Sequence, residues 1–282
     1  MTEPLPEYHT DAAPRTPTYD DLVLRTFSFG GGVQSMAVLV LAAQGHVNYD
    51  AFLFSNVGDD SENPGTLEYY RTVAAPYAAA NGIELVELRK TTHDKPVTLY
   101  EHITGDNRSV KLPIYLSTGA PGSRNCTTDW KIDVIARWLK QHGASAANPA
   151  IVGLGISTDE IHRARTHSGI VWQTLEYPLI DLGMSRRDCV RLIQDARLPV
   201  PPKSSCWFCP FHRQREWQDM RREQPELFSK AVALERRIND KRQAIGKDIV
   251  YLHRSLHPLD QAIGLQLAFE YDDHCESGYC LT

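Results

Sequence analysis

The stretch that most constrains this chain is Phe27-Ser28-Phe29-Gly30-Gly31-Gly32-Val33-Gln34-Ser35. A short apolar run, Leu22-Val23-Leu24, precedes it and reads as the end of a buried strand. Met36 to Ala43 follows it and reads as a buried helix, stopped by Gly45. A glycine-rich loop therefore joins a strand to the first turn of a helix. Glycine lets the backbone turn where a side chain would clash. The loop amides, with the unpaired N–H groups of the new helix, form a pocket for an anion. Ser28 and Ser35 can add hydroxyl donors. The physical expectation is a phosphate or pyrophosphate site at Gly30, Gly31, Gly32, Gln34 and Ser35. A tight turn with no ligand would use the same glycines.

Two familiar phosphate motifs are excluded. A Walker loop ends in Gly-Lys-Ser/Thr, and no lysine is present; a Rossmann fingerprint has a third glycine further on, where this chain has Val33-Gln34-Ser35. Downstream, Ala51 to Ser55 reads as a second strand ending in the polar loop Asn56-Val57-Gly58-Asp59-Asp60. Thr66 to Asn81 reads as a helix that Pro76 must kink or divide, and Ile83 to Leu88 as a third strand. Alternating strands and helices predict an α/β fold, a parallel sheet with helices on both faces. Thr91 to Arg124 has no clean periodicity and suits either a lid or binding loop, or a plain surface excursion. Thr128 to His142 is an amphipathic helix, and Ile151 to Ile156 a buried strand running into Ser157-Thr158-Asp159-Glu160-Ile161-His162-Arg163. A last strand falls near Pro178-Leu179, and Ser185-Arg186-Arg187-Asp188 opens a capped helix.

Three segments follow from this reading: a disordered tail at 1–19, a nucleotide-binding domain at 20–202, and a helical C-terminal region at 203–282. No run is long or apolar enough to cross a bilayer, and no apolar leader follows Met1. A cytoplasmic location follows, where six cysteines ask for a metal, redox or core explanation rather than disulfides. The net charge of −5 argues against a protein that coats nucleic acid over its whole surface. Lys203 to Arg254 nevertheless holds 12 Lys and Arg against 7 Asp and Glu. That surplus suits a solvated helix face, or a docking surface for a phosphate-rich partner.

Cys206-Trp207-Phe208-Cys209 is the strongest cysteine signal. A C-x-x-C in a reducing compartment suits Zn²⁺, an iron–sulfur cluster or a redox pair. Cys189 shares one helical face with Leu192, Ile193 and Ala196 and reads as core. Asp59 and Asp159 are candidate Mg²⁺ ligands or exposed loop acids.

Several segments, in order, resemble the phosphoadenosine phosphosulfate (PAPS) reductase family of the PP-loop superfamily, the adenine nucleotide α-hydrolase-like proteins. Ser28 to Ser35 resembles the PP-loop Ser-Gly-Gly-x-Asp-Ser, with Gln34 at the usual aspartate and one residue inserted. Asn56-Val57-Gly58 with Thr66 resembles the family's strand-two segment, and Arg124-Asn125-Cys126-Thr127 with Lys131 its Arg-x-Cys-Thr…Lys segment. Gly153 to Arg163 resembles Gly-x-Arg…Glu-Ser…Arg without the first arginine, and Tyr177-Pro178-Leu179 with Leu198-Pro199 its Pro-Leu…Leu-Pro stretch. The resemblance implies a five-stranded sheet of order 3-2-1-4-5, binding ATP or PAPS beside the glycine loop. It implies Lys131, Arg124 and Arg163 as catalytic cations, and Asn56 and Asp59 near the nucleotide. It further implies adenylation of a nucleic-acid or small-molecule acceptor, with sulfur then supplied by a donor protein, or reduction of a sulfonucleotide. Cys126, Cys206 and Cys209 would form a three-thiolate site as in cluster-bearing tRNA thiolation relatives; Cys275 and Cys280 could complete four thiolates, either both with Cys206 and Cys209 or by donating one to the trio. The occupant would be a [4Fe–4S] cluster or Zn²⁺. Cys280 has the position of a reductase tail cysteine without that family's Glu-Cys-Gly-Leu-His.

Overall fold

A computed structural model describes residues 23–264. The expected N-terminal tail at 1–19, Leu22, Cys275 and Cys280 lie outside the described residues.

Five strands form one parallel sheet: β1 (Arg25–Ser28), β2 (Ala51–Asn56), β3 (Leu85–Arg89), β4 (Ala150–Leu154) and β5 (Gln173–Glu176). Their order across the sheet is β3-β2-β1-β4-β5. β1 begins three residues later than the apolar run suggested, so Phe27 and Ser28 belong to the strand, not to the loop. Strand alternation sorts the core. Phe27, Phe52 and Phe54 face helix α1 (Val33–Ala43), whose residues from Val33 to Leu41 are almost all buried. Ala51, Leu53, Val152 and Leu154 face the opposite side, against Ile135 and Leu139.

Pro76 divides its helix as expected. Helix α2 (Pro64–Tyr69) passes through a π-helical turn (Tyr70–Ala74) into α3 (Ala75–Ala80). The wider turn pairs Ala75 N–H with Tyr70 O, five residues back, just before the proline that has no N–H to give. The stretch from Thr91 to Arg124 is neither lid nor surface excursion. It forms α4 (Leu99–Thr104) and buries Leu99, Ile103, Val110, Leu112 and Ile114. Asn125 to Gln141 is helical throughout, as α5 (Asn125–Thr127), a second π turn (Thr128–Ile132) and α6 (Asp133–Gln141).

The last strand ends earlier than expected. Pro178 and Leu179 start the short helix α7 (Pro178–Asp181), because proline fits the first turn of a helix better than a ladder. Helix α8 (Arg186–Asp195) carries the expected capping box between Ser185 and Asp188. Cys189 is fully buried on it, and burial pushes its thiol up to about 12. The C-terminal part comprises α9 (Gln214–Glu223), α10 (Pro225–Gln243) and α11 (Leu259–Ala262). Its Trp217, Phe228, Ala231, Leu234 and Ile238 share one core with Leu99, Ile103, Trp130 and Val57. A two-residue ladder, Tyr115–Leu116 with Val250–Tyr251, ties the same two regions.

Most of the basic side chains of this region are exposed, but several are tied to the protein. Arg237 donates to Thr104 O at 2.6 and 2.9 Å, and Lys241 donates to Ile103 O at 2.7 Å and to Gly105 O, closing the carbonyl end of α4. Arg236 pairs with Asp260 at 2.6 Å and Arg222 with Asp219 at 2.6 Å. These four cations act as helix caps and local pairs. Among the described residues no helix is long and apolar enough to cross a membrane.

Candidate functional site

Reversal of strand order places a crevice beside β1 and β4, where their carboxyl ends open upward. The glycine loop leaves β1 there. Phe29 N–H donates to Leu53 O at 2.9 Å and carries the ladder one residue past the strand. Gly31 then takes φ +76°, a left-handed conformation that side-chain-bearing residues rarely adopt. A Cβ there would also lie 2.9 Å from Thr66 Cγ2. Gly32 caps α1, its N–H bonded to Ser35 Oγ at 3.0 Å, while that hydroxyl donates to Gly32 O at 2.9 Å. Ser35 is thus engaged by its own turn. The amides of Val33 and Gln34 stand in the first turn of α1, which has no intrahelical acceptor for them.

The crevice above this turn is lined by Gly32, Val33, Gln34 and Ser35 from the loop, and by Gly155, Glu160 and Arg163 from the segment after β4. Arg186 comes from α8, and Lys203, Ser204, Ser205, Cys209, Phe211 and His212 from the chain leading into α9. Ser204 Oγ donates to Gly30 O and locks the C-terminal wall to the loop. One lining hydroxyl, Ser205 Oγ, on a residue 5 % exposed, has no hydrogen-bond partner among the described residues; Thr66 Oγ1 is also without one, but it is fully buried and does not line the crevice. A buried polar group left unpaired costs about 1–3 kcal/mol. A hydroxyl in that state beside a turn rich in N–H donors fits a bound anion.

Charge is distributed around the crevice as a chain. Arg186 Nη1 donates to Gln34 Oε1 at 3.0 Å, Gln34 Nε2 donates to Glu160 Oε2 at 3.3 Å, and Arg163 Nη1 meets the same Glu160 oxygen at 2.6 Å. Lys203 Nζ holds both oxygens of Glu216 at 2.7 and 2.8 Å. His212 donates from Nε2 to Cys206 O at 3.0 Å, since a carbonyl can only accept, and turns Nδ1 toward Glu216 at 3.4 Å. The turn Cys206–Cys209 closes through Cys209 N–H to Cys206 O at 3.1 Å. Lysine, carboxylate and imidazole together fix that turn against the loop.

Burial alone would raise the Glu216 carboxyl, but the hydrogen bonds from His212 and Lys203 outweigh it and hold it down at about 2. A carboxyl depressed in the folded state stabilises fully above its ordinary value of 4.5 and loses that contribution as pH falls toward 2. Urea titrations across that window are expected to show the native protein losing stability more steeply than Glu216→Gln. Parallel curves would contradict the clamp.

The remaining expected site residues are placed as follows. Asn56 donates to Asp59 and Glu87, each at 2.8 Å, and accepts Gly58 N–H at 2.8 Å. Asp59 pairs with Arg71 at 2.8 Å and Arg89 at 2.6 Å. Burial opposes ionisation of Asp59, yet Asn56, Arg71 and Arg89 hold its carboxyl below the usual value. Both residues shape the loop after β2 and do not line the crevice. Asp159 Oδ2 takes Arg186 N–H at 2.5 Å and caps α8. Ser28 and Lys131 line a second cleft on the α6 face, walled by Ile132, Ile135, Val152, Leu154 and Leu175 and edged by Arg165 and His167. The Arg124 guanidinium lies over the Phe211 ring at 5.2 Å and so reaches the crevice wall indirectly.

Cys126 and Cys206 both pack against the C-terminal core, and Cys209 lines the crevice itself. Cys126, Cys189, Cys206 and Cys209 carry no disulfide. Among the described residues no group of three or more Cys, His, Asp or Glu is placed to hold a metal ion. Glu160, Arg186, Lys203, Ser205 and His212 were not among the expected site residues. Each is brought in by tertiary contact from a segment whose local pattern says only loop or helix start.

Fold and crevice together define an α/β protein with a glycine turn and a cation-lined crevice at the strand switch point. No protein-family model and no curated protein matches the chain.

Proposed function

We propose that this protein is an ATP pyrophosphatase of PP-loop type that adenylates a substrate for sulfur transfer. The observation that carries the reading is the presence of Cys209 in the same crevice as the glycine turn, with Arg163, Arg186 and Lys203 around them. In this reading the polyphosphate of ATP lies on the amides of Val33 and Gln34 and satisfies the Ser205 hydroxyl. A substrate oxygen attacks the α-phosphorus, and the bond to pyrophosphate breaks. Charge growing on the departing pyrophosphate is met by Arg163, Arg186 and Lys203, fixed before the reaction begins. A sulfur nucleophile then displaces AMP from the adenylated substrate.

The test is release of pyrophosphate from ATP, with and without acceptors such as transfer RNA. Acceptor-dependent pyrophosphate and AMP in equal amounts are expected. Nucleotide binding with no turnover would leave a binding module. Sulfite released from PAPS in the presence of thioredoxin would make the protein a sulfonucleotide reductase instead.

A further inference from the structure

The cleft on the α6 face is separate from the phosphate crevice but borders it. Leu154 lines the cleft, and the next residue, Gly155, lines the crevice; Arg163 lines the crevice, and Arg165 edges the cleft. The cleft walls are aliphatic, with Ile135 and Val152 buried and Ile132 and Leu175 half-buried. Strand alternation adds Ser28 from the end of β1 and Gln173 from the start of β5. Gln173 Oε1 is buried and accepts no hydrogen bond among the described residues. An acceptor in that state costs about 1–3 kcal/mol, which a ligand N–H would offset. The rim is fixed in advance. Tyr177 Oη accepts Arg165 N–H and donates to Arg165 O, both at 2.7 Å, and Ser168 Oγ accepts Ile170 N–H at 3.0 Å. Arg165 and His167 are exposed on that rim.

Aliphatic walls suit the faces of a ring, a buried carbonyl needs an N–H donor, and an exposed guanidinium suits a phosphate. A nucleobase with its phosphate supplies all three. The crevice has Arg163, Arg186 and Lys203 for a polyphosphate, so Arg165 is available to a second phosphate group. We propose that this cleft is a second site, taking one nucleobase of the acceptor with a ring-edge N–H on Gln173 Oε1 and the adjoining phosphate on Arg165. Its place in the reaction rests on the adenylation reading above; its binding chemistry does not.

The experiment uses the full chain, with uridine, cytidine and adenosine 5′-monophosphates as probes, read by calorimetry with and without saturating α,β-methylene-ATP. At least one monophosphate is expected to bind, with affinity changed less than about twofold by the ATP analogue. Gln173→Met keeps the side-chain length and removes the acceptor. It should weaken that monophosphate about tenfold or more, leave α,β-methylene-ATP binding unchanged, and melt no lower than the native protein. Arg165→Gln should weaken the monophosphate and leave the corresponding nucleoside unaffected. Mutual exclusion of the monophosphate and the ATP analogue would assign the cleft to ATP itself and overturn the proposal, leaving the nucleotide reading standing. Failure of all three monophosphates to bind would overturn it too, as would native-like affinity in Gln173→Met, or a lowered melting temperature with both ligands weakened. Monophosphate binding that depends on Gln173, in a protein that does not bind α,β-methylene-ATP, would bring down the ATP reading alone.

Discussion

Alanine at Gly31 is expected to abolish measurable nucleotide binding while the sheet and the C-terminal core stay folded. The residue sits at φ +76°, where an L side chain costs about 1–2 kcal/mol by backbone sterics alone. The added methyl would also meet Thr66 Cγ2 at 2.9 Å, closer than real Cβ contacts, with Phe54 3.5 Å away on the other side. Thr66 is fully buried and Phe54 nearly so, so neither can retreat cheaply. The least costly relief is for the loop to swing toward the crevice, which breaks the Ser204 bond to Gly30 and misdirects the amides of Val33 and Gln34. Calorimetric titration with α,β-methylene-ATP checks the affinity, and circular dichroism checks the fold. Native-like affinity in Gly31→Ala would mean that the turn does not hold the phosphates.

Serine at Cys209 is expected to separate the two half-reactions completely. Cys209 lines the crevice but supplies none of the loop amides or cations around the phosphates. Pyrophosphate release should therefore persist at a rate near that of the native protein. Sulfur incorporation should fall to background, because a hydroxyl cannot carry a persulfide. In the native protein a donor protein's persulfide would pass its outer sulfur to the Cys209 thiolate and leave as a thiol, and that sulfur would then bond to the adenylated carbon as AMP leaves. A second thiol, with Cys206 three residues away, would then take the S–S bond, and an external thiol would reduce the resulting disulfide. Parallel assays of pyrophosphate and of labelled sulfur in the acceptor decide the matter. Full sulfur transfer by Cys209→Ser would remove this cysteine from the chemistry, and loss of both activities would tie it to nucleotide binding instead.

The glycine turn, the parallel sheet and the Pro76 break were legible because each follows from short-range rules. Three glycines between a strand and an apolar helix leave few backbone solutions, and a proline inside a helix must be relieved locally. The position of Ser28 could also have been read. With Phe27 packed toward α1, strand alternation sends Ser28 to the α6 face, into the second cleft and away from the turn. Apart from Arg163 and Cys209, the rest of the crevice was not visible, since its walls come from residues more than 100 positions from the loop. Lys203 and His212 look like ordinary helix-flanking polar residues until Glu216 draws them together. Asp59 looked available in sequence, and only the fold brings Arg71 and Arg89 onto it.

One wall of the crevice, from Lys203 to His212, belongs to the final third of the chain and is held by a core that reaches into α10. On the ribosome, the glycine turn therefore emerges long before its opposite face exists. A nascent chain stalled after α8 would own the turn yet lack the Ser204 latch, the Ser205 hydroxyl and the thiol of Cys209. The crevice should therefore be completed late in synthesis, in one step, when the last long helix clears the exit tunnel.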